Sequence, residues 1–172
     1  MGCDIHVHIE HSSKAVREGE KKYWRCFGGM INPGRHYGVF AKLCGVRNYE
    51  EYNITPLSEP KGLPENLSYE SRGDNSLYIS EEDTDSEGCC SRKNAEKWVK
   101  DGSSVMDGTC KVTNPDWHSH SFVSADELKE VLNDPQTQYN IESDSEYSVV
   151  LGCLRQFEKL GEDARLVFWF DN

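Results

Sequence analysis

The segment Ala164-Arg165-Leu166-Val167-Phe168-Trp169-Phe170 is apolar at every position but one. A strand exposed to water on one side alternates, whereas a strand without alternation is covered on both faces. This run therefore predicts a central strand with protein packed on either side. The N-terminal segment offers it a partner. In an extended chain successive side chains point to opposite faces. Cys3, Ile5, Val7 and Ile9 then share one face, and Asp4, His6, His8 and Glu10 share the other. Residues 2–10 read as a half-buried strand, expected beside the C-terminal one at the centre of a sheet.

Further elements follow from local signals. Residues 14–21 are charged and turn-like, and Tyr23 to Phe27 is a second strand that completes a hairpin. The glycine-rich stretch Gly28 to Gly34 leads to a helix over Arg35 to Cys44, ended by Gly45. Residues 46–90 look mostly irregular, punctuated by Pro56, Pro60 and Pro64 and then rich in Ser, Asp and Glu. A loop of that length inside a compact domain is usually functional or partly disordered. Ser91 to Lys100 predicts a helix with Ala95, Trp98 and Val99 inward. His118 to Val123 is a short strand. Ser124 and Glu127 form a capping box that opens a helix to about Asn133. Tyr147, Val150, Leu151, Leu154, Phe157 and Leu160 recur at helical spacing over residues 145–160. The expected fold class is α+β: a mainly antiparallel central sheet, including the N- and C-terminal strands, with three or four helices packed on one side and a long irregular acidic loop at 46–90. Residues 1–172 make a single domain.

Charge narrows the partners. With 19 basic and 30 acidic residues the formal net charge is −11. That argues against extended nucleic acid, which requires a basic footprint. A small anionic ligand held by a few arginines remains compatible. No apolar run is long enough to span a bilayer, and Asp4, His6 and His8 interrupt the only apolar N-terminal stretch, so neither a membrane span nor a signal peptide is expected. The seven cysteines, an odd number with no C-x-x-C, read as reduced thiols in a cytoplasmic protein.

Chemistry concentrates in two H-x-H pairs, His6-Val7-His8 and His118-Ser119-His120, which use four of the six histidines. On a strand each pair sets two imidazoles on one face, about 7 Å apart at the backbone. The row Asp4, His6, His8, Glu10 offers nitrogen and carboxylate donors suited to a divalent ion, and Asp171 follows the C-terminal strand. The candidate metal ligands are Asp4, His6, His8, His118, His120 and Asp171, for zinc or manganese. Without metal, His6, His118 and His120 are candidates for general acid–base catalysis. The plain alternative is a solvated sheet face and histidines that merely bond nearby backbone.

Anion binding has a second set of candidates. Glycines at 28, 29 and 34 let backbone approach a ligand, and Arg35 carries a fork suited to phosphate. Arg35, His36, Tyr37, Arg47, Trp117 and Ser119 are the candidate ligand-binding residues, with Arg72 a further phosphate contact. No phosphate-loop or dinucleotide fingerprint is present. Asp83 to Gly88 mimics the start of a calcium loop, but Asn94 stands where the bidentate Glu belongs, leaving at most loose calcium binding.

Three families are brought to mind by particular motifs. Asp4-x-His6-x-His8 is reminiscent of amidohydrolases, whose barrel needs about 250 residues. The paired histidine motifs resemble those of the two-histidine phosphoesterases, with His8 and His120 standing where that family has Ser or Thr. Met1-Gly2-Cys3-Asp4-Ile5-His6, Asn32-Pro33-Gly34-Arg35, Ser58-Glu59-Pro60-Lys61-Gly62-Leu63-Pro64, Asp116-Trp117-His118-Ser119-His120-Ser121 and Phe168-Trp169-Phe170-Asp171-Asn172 together resemble a family of small bacteriophage and prophage proteins. This resemblance implies a context of action against host defence, by destroying or sequestering a nucleotide signal in the host cytosol. The function expected is a hydrolase of phosphodiesters or nucleotides. The alternatives are a protein that sequesters a nucleotide uncleaved, and an acidic inhibitor that captures a protein partner with its 46–90 loop.

Overall fold

The computed structural model describes residues 2–13, 21–50 and 53–171. Strand β1 (Asp4–Ser13) pairs antiparallel along its whole length with β8 (Glu162–Asp171), and on its other edge with β2 (Arg25–Ile31). Strand β7 (His118–Val123) flanks β8, so the sheet order is β2-β1-β8-β7. The two strands expected at the centre are there, and Ala164 to Phe170 is buried throughout.

One face carries the main core. Cys3, Ile5, Val7 and Ile9 join Leu166, Phe168 and Phe170 against three helices, α1 (Tyr37–Cys44), α4 (Ala125–Asn133) and α5 (Ser145–Lys159). The local signals explain their limits. Gly45 ends α1 in the left-handed region at φ 77°. Ser124 accepts from the Glu127 amide while the Glu127 carboxylate accepts from the Ser124 amide, completing the capping box. None of the helices among the described residues is long and apolar enough to cross a membrane.

The opposite face is where expectation and structure part. It is not solvated, and residues 53–90 are not a free loop. They contribute α2 (Tyr69–Asp74), β3 (Ser76–Ile79) and β4 (Cys89–Cys90), which combine with α3 (Arg92–Asp101), β5 (Met106–Asp107) and β6 (Lys111–Thr113). The second sheet has the order β4-β3-β6-β5 and a small core of Ile79, Cys90, Ala95 and Val112. Its strands are two to four residues long and carry little alternation, so periodicity could not reveal them. Gly28 and Gly29 lie inside β2 rather than in a connection, where they open the strand with φ of 80° and 75° beside a register shift. The charged stretch at 14–20 lies outside the described residues.

A buried ion pair binds the second layer to the sheet. Glu10 is completely buried and accepts from Arg165 Nε and Nη2 at 2.8 and 2.6 Å. Its other oxygen accepts the Ser68 amide at 2.8 Å, at the N-cap of α2. Arg165 donates further to the side chain and carbonyl of Asn66, and its guanidinium lies 3.8 Å from the Trp24 ring centroid. Every lone pair and N–H matters here, because an unpaired charge at such depth is costly. Glu10→Ala strands Arg165 and is expected to cost about 3–5 kcal/mol, read from urea unfolding. The double variant Glu10→Leu/Arg165→Met should recover part of that loss; a cost below 1 kcal/mol for the single variant would dismiss the clamp.

Candidate functional site

Trp169 is fully buried at the middle of the face opposite the main core. Register explains its neighbours: His6 lies directly across from it on β1, and His8 is one strand repeat away. The His8 and His6 rings stack on it at centroid distances of 5.2 and 6.2 Å. From the turn just before β7 comes Trp117 at 5.4 Å, and from β7 itself His120 at 6.0 Å. Trp117 also lies 5.7 Å from His6. The two H-x-H motifs thus meet around one indole.

The second pair does not follow the simple strand rule. Ser119 takes φ 51°, and the register slips between His118 and Ser121. The His118 ring therefore stacks on Phe170, a residue of the main core, while His120 lies tilted against Trp169 of the other face. A left-handed conformation costs a residue with a side chain roughly 1–2 kcal/mol. Neighbouring bonds hold it: Ser119 Oγ lies 3.0 Å from His118 Nδ1, the Gly62 amide donates to the His120 carbonyl at 2.8 Å, and the Lys61 amide donates to Ser121 Oγ at 3.2 Å.

Splitting the pair gives each histidine its own cavity. The first, about 430 Å³, is lined by Asn114, Pro115, Asp116, Trp117, His118 and Asp171. Here His6 Nε2 donates to Asp171 Oδ2 at 2.8 Å, and the Asp4 amide donates to Asp171 Oδ1 at 3.0 Å. The Asp4 carboxylate is gripped by Arg35 Nε and Nη2 at 2.6 and 2.7 Å, which holds its carboxyl below the usual range. Side-chain exposures of 16% for His6 and 30% for Asp171 leave both within reach of a ligand. The second cavity, about 530 Å³, lies between the two sheets, with Trp117 and His120 in its wall.

Burial sets the protonation of the deeper histidines. It pushes His120 down to about 4, helped by repulsion from His118. It also lowers His8, against the pull of Asp74, whose carboxylate lies 3.5 Å from His8 Nε2. The Cys26 thiol, raised by burial to about 11, sits 3.2 Å from His8 Nδ1. His8 is thus a buried neutral ring rather than part of a solvated donor row.

The candidate metal ligands fall into separate groups: His6 with Asp171, Asp4 with Arg35, His8 with Asp74 and Cys26, and His118 and His120 on either side of the bulge. Among the described residues no three His, Cys, Asp or Glu side chains are grouped to hold one ion. The pair His6 and Asp171 offers a nitrogen and an oxygen donor suited to zinc or manganese. Among the candidate ligand contacts, Trp117 and Ser119 belong to the site, and Arg35 reaches it through Asp4. His36 instead caps α1 by accepting the Val39 amide and packs against Tyr139. Tyr37 packs on Phe40 and Tyr49, and Arg47 donates to the Gly2 carbonyl and Tyr49 hydroxyl. Arg72 pairs with Asp107, and both line the second cavity. In the calcium-like segment, Asp83 and Asp85 accept from the amides of Lys93 and Ser91 at the start of α3. Asp74, Asn75 and Cys26 were invisible in the sequence as site residues. Nothing local marks them, and only the folding of 53–90 over the sheet brings Asp74 and Asn75 there. Compared with protein-family models, curated proteins and solved structures, the chain finds no significant match. Its function must be argued from the site itself.

The neutral histidines predict how stability depends on pH. Between pH 6.5 and about 4 the unfolded chain binds a proton at residue 120 that the folded chain refuses. Stability is therefore full above pH 6.5 and falls as pH drops through that window, by about 3 kcal/mol for this group at 1.36 kcal/mol per unit. Urea unfolding across pH 4–7 should show the slope, and His120→Gln should flatten it. An equal slope in the variant would place the titration elsewhere.

Proposed function

We propose that this protein hydrolyses a phosphodiester or related bond of a small nucleotide, with His6 and His118 as base and acid. The observation that carries this reading is that His118 and Asp171 line one cavity, and that Asp171 hydrogen-bonds and orients His6 beside it, although His6 and His118 are far apart in the chain. The carboxylate keeps the proton of His6 on Nε2 and leaves Nδ1 as the basic nitrogen, the way a positioned imidazole is prepared for proton transfer. In the proposed reaction, His6 takes a proton from the attacking water while the new P–O bond forms. His118, entering protonated, gives its proton to the leaving oxygen as the old P–O bond breaks. The products are an alcohol and a phosphate monoester, and a proton exchange with solvent resets both rings. If a divalent ion takes part, His6 and Asp171 would hold it, and it would supply Lewis-acid activation of water. Metal analysis of the purified protein separates the two versions. The resemblance to small phage and prophage proteins supports a nucleotide signal of host defence, in the host cytosol, as the substrate.

A second reading, sequestration without cleavage, draws on one observation. Arg35 Nε and Nη2, the donors best suited to steady phosphate charge, are spent on Asp4. Incubation with a panel of linear and cyclic nucleotides, followed by chromatography, distinguishes the readings. Catalysis predicts product, with kcat lowered about 10²–10⁴-fold in His6→Ala and substantially in Asp171→Asn, both still folded. Full turnover by His6→Ala would end the catalytic proposal. A ligand recovered intact after denaturing its complex would select sequestration.

A further inference from the structure

Residues lining the larger cavity, between the two sheets, carry polar groups that the rest of the fold does not use. Asn75 lines it and is 1% exposed, yet neither the nitrogen nor the oxygen of its side-chain amide has a hydrogen-bond partner. His120 lines the same cavity, and its buried Nε2 is likewise without a partner. Each such group costs about 1–3 kcal/mol when left unsatisfied. An amide with both its donor and its acceptor unspent is rare in a native interior and calls for an explanation. Of the remaining wall, the Trp117 indole, Leu63, Val105 and Met106 supply the apolar part, while Glu65, the Arg72–Asp107 ion pair and several hydroxyl side chains supply the polar part. At about 530 Å³ the space falls within the roughly 300–1,000 Å³ typical of small-molecule sites.

We propose that this cavity is a nucleobase site, in which a planar heterocycle stacks on Trp117 and presents adjacent donor and acceptor atoms to Asn75, with His120 as a third contact. The chemistry matches group by group. A primary amide pairs in two-pronged fashion with a base edge that carries a donor beside an acceptor. Base–aromatic stacking adds about 1–3 kcal/mol. His120 is held neutral and uncharged, as suits contact with an uncharged base. The location matches as well, because Trp117 lines both cavities. The bulge at Ser119 sends His118 to one and His120 to the other, so a ligand with its base against Asn75 would carry its phosphate toward Asp171 and His118. The assignment takes its ligand class from the nucleotide reading above, and base binding itself requires no turnover.

Nucleosides lacking phosphate provide the test. Isothermal titration of the intact protein with adenosine, guanosine, cytidine and uridine should show binding of at least one. Asn75→Asp, which replaces the donor with an acceptor, and Asn75→Leu should weaken it at least tenfold, while Lys129→Ala, at an exposed position of α4 that lines neither cavity, should bind as tightly as the parent protein. Should the Asn75 variants fail to fold, Val105→Trp, at an exposed position of the wall, should block binding by filling the cavity. Absence of binding by all four nucleosides, or undiminished binding in folded Asn75 variants and in Val105→Trp, overturns the proposal. Nucleoside binding without cleavage of any nucleotide would keep the base site and remove the hydrolase. Cleavage that is indifferent to Asn75 and Val105 would do the reverse.

Discussion

The pairing of Glu10 with Arg165 holds the architecture of the site together. Both side chains come from the two central strands and point away from the main core, into a face that an ordinary two-layer protein would leave wet. Their charges could be withdrawn from water only because Ser68 and Asn66 complete the hydrogen bonding. Those partners sit in the segment that leads into α2. Satisfying the ion pair therefore positions the chain that closes the cavity between the sheets. Part of the binding energy that could have stabilised an apolar contact goes instead into a polar joint with one geometry.

Around that joint the site is assembled by register and by one irregularity. Strict antiparallel pairing sets His6 across from Trp169 and Asp4 across from Asp171, which brings a carboxylate within hydrogen-bonding distance of an imidazole. On the other edge a left-handed serine breaks the alternation and distributes two neighbouring histidines between two cavities. Backbone strain of this kind persists only where the surroundings over-determine it. Here the surroundings are bonds from residues 61 and 62, part of the same covering segment that the ion pair secures. Trp117 stands at the junction and lines both spaces.

Sequence patterning served well wherever an element was long or chemically punctuated. The ten-residue central strands, the capping box at Ser124 and the glycine stop at position 45 all carry signals that act over a few residues. In the second layer only α3 carried such a signal, and the strands carried none. Strands of two to four residues do not establish a period, and their stability comes from contacts with a sheet distant in sequence. For the same reason Asp4 to Glu10 looked as much like a wet face as a functional one. Alternation says which residues share a side, while what covers that side depends on segments distant in the chain, as Ser68 is from Glu10.

The chain alone determined the central β1–β8 partnership, the helical face and the concentration of imidazoles at two points, because periodicity, capping and spacing are properties of neighbours. Only the tertiary structure decided that the polar face is buried and that His118 and His120 part company. It also decided that Asp171 orients His6 and that Asn75 faces no protein partner. Those outcomes depend on distances between segments that meet late in the chain's path, and on the need to satisfy each charge and amide once water has been excluded.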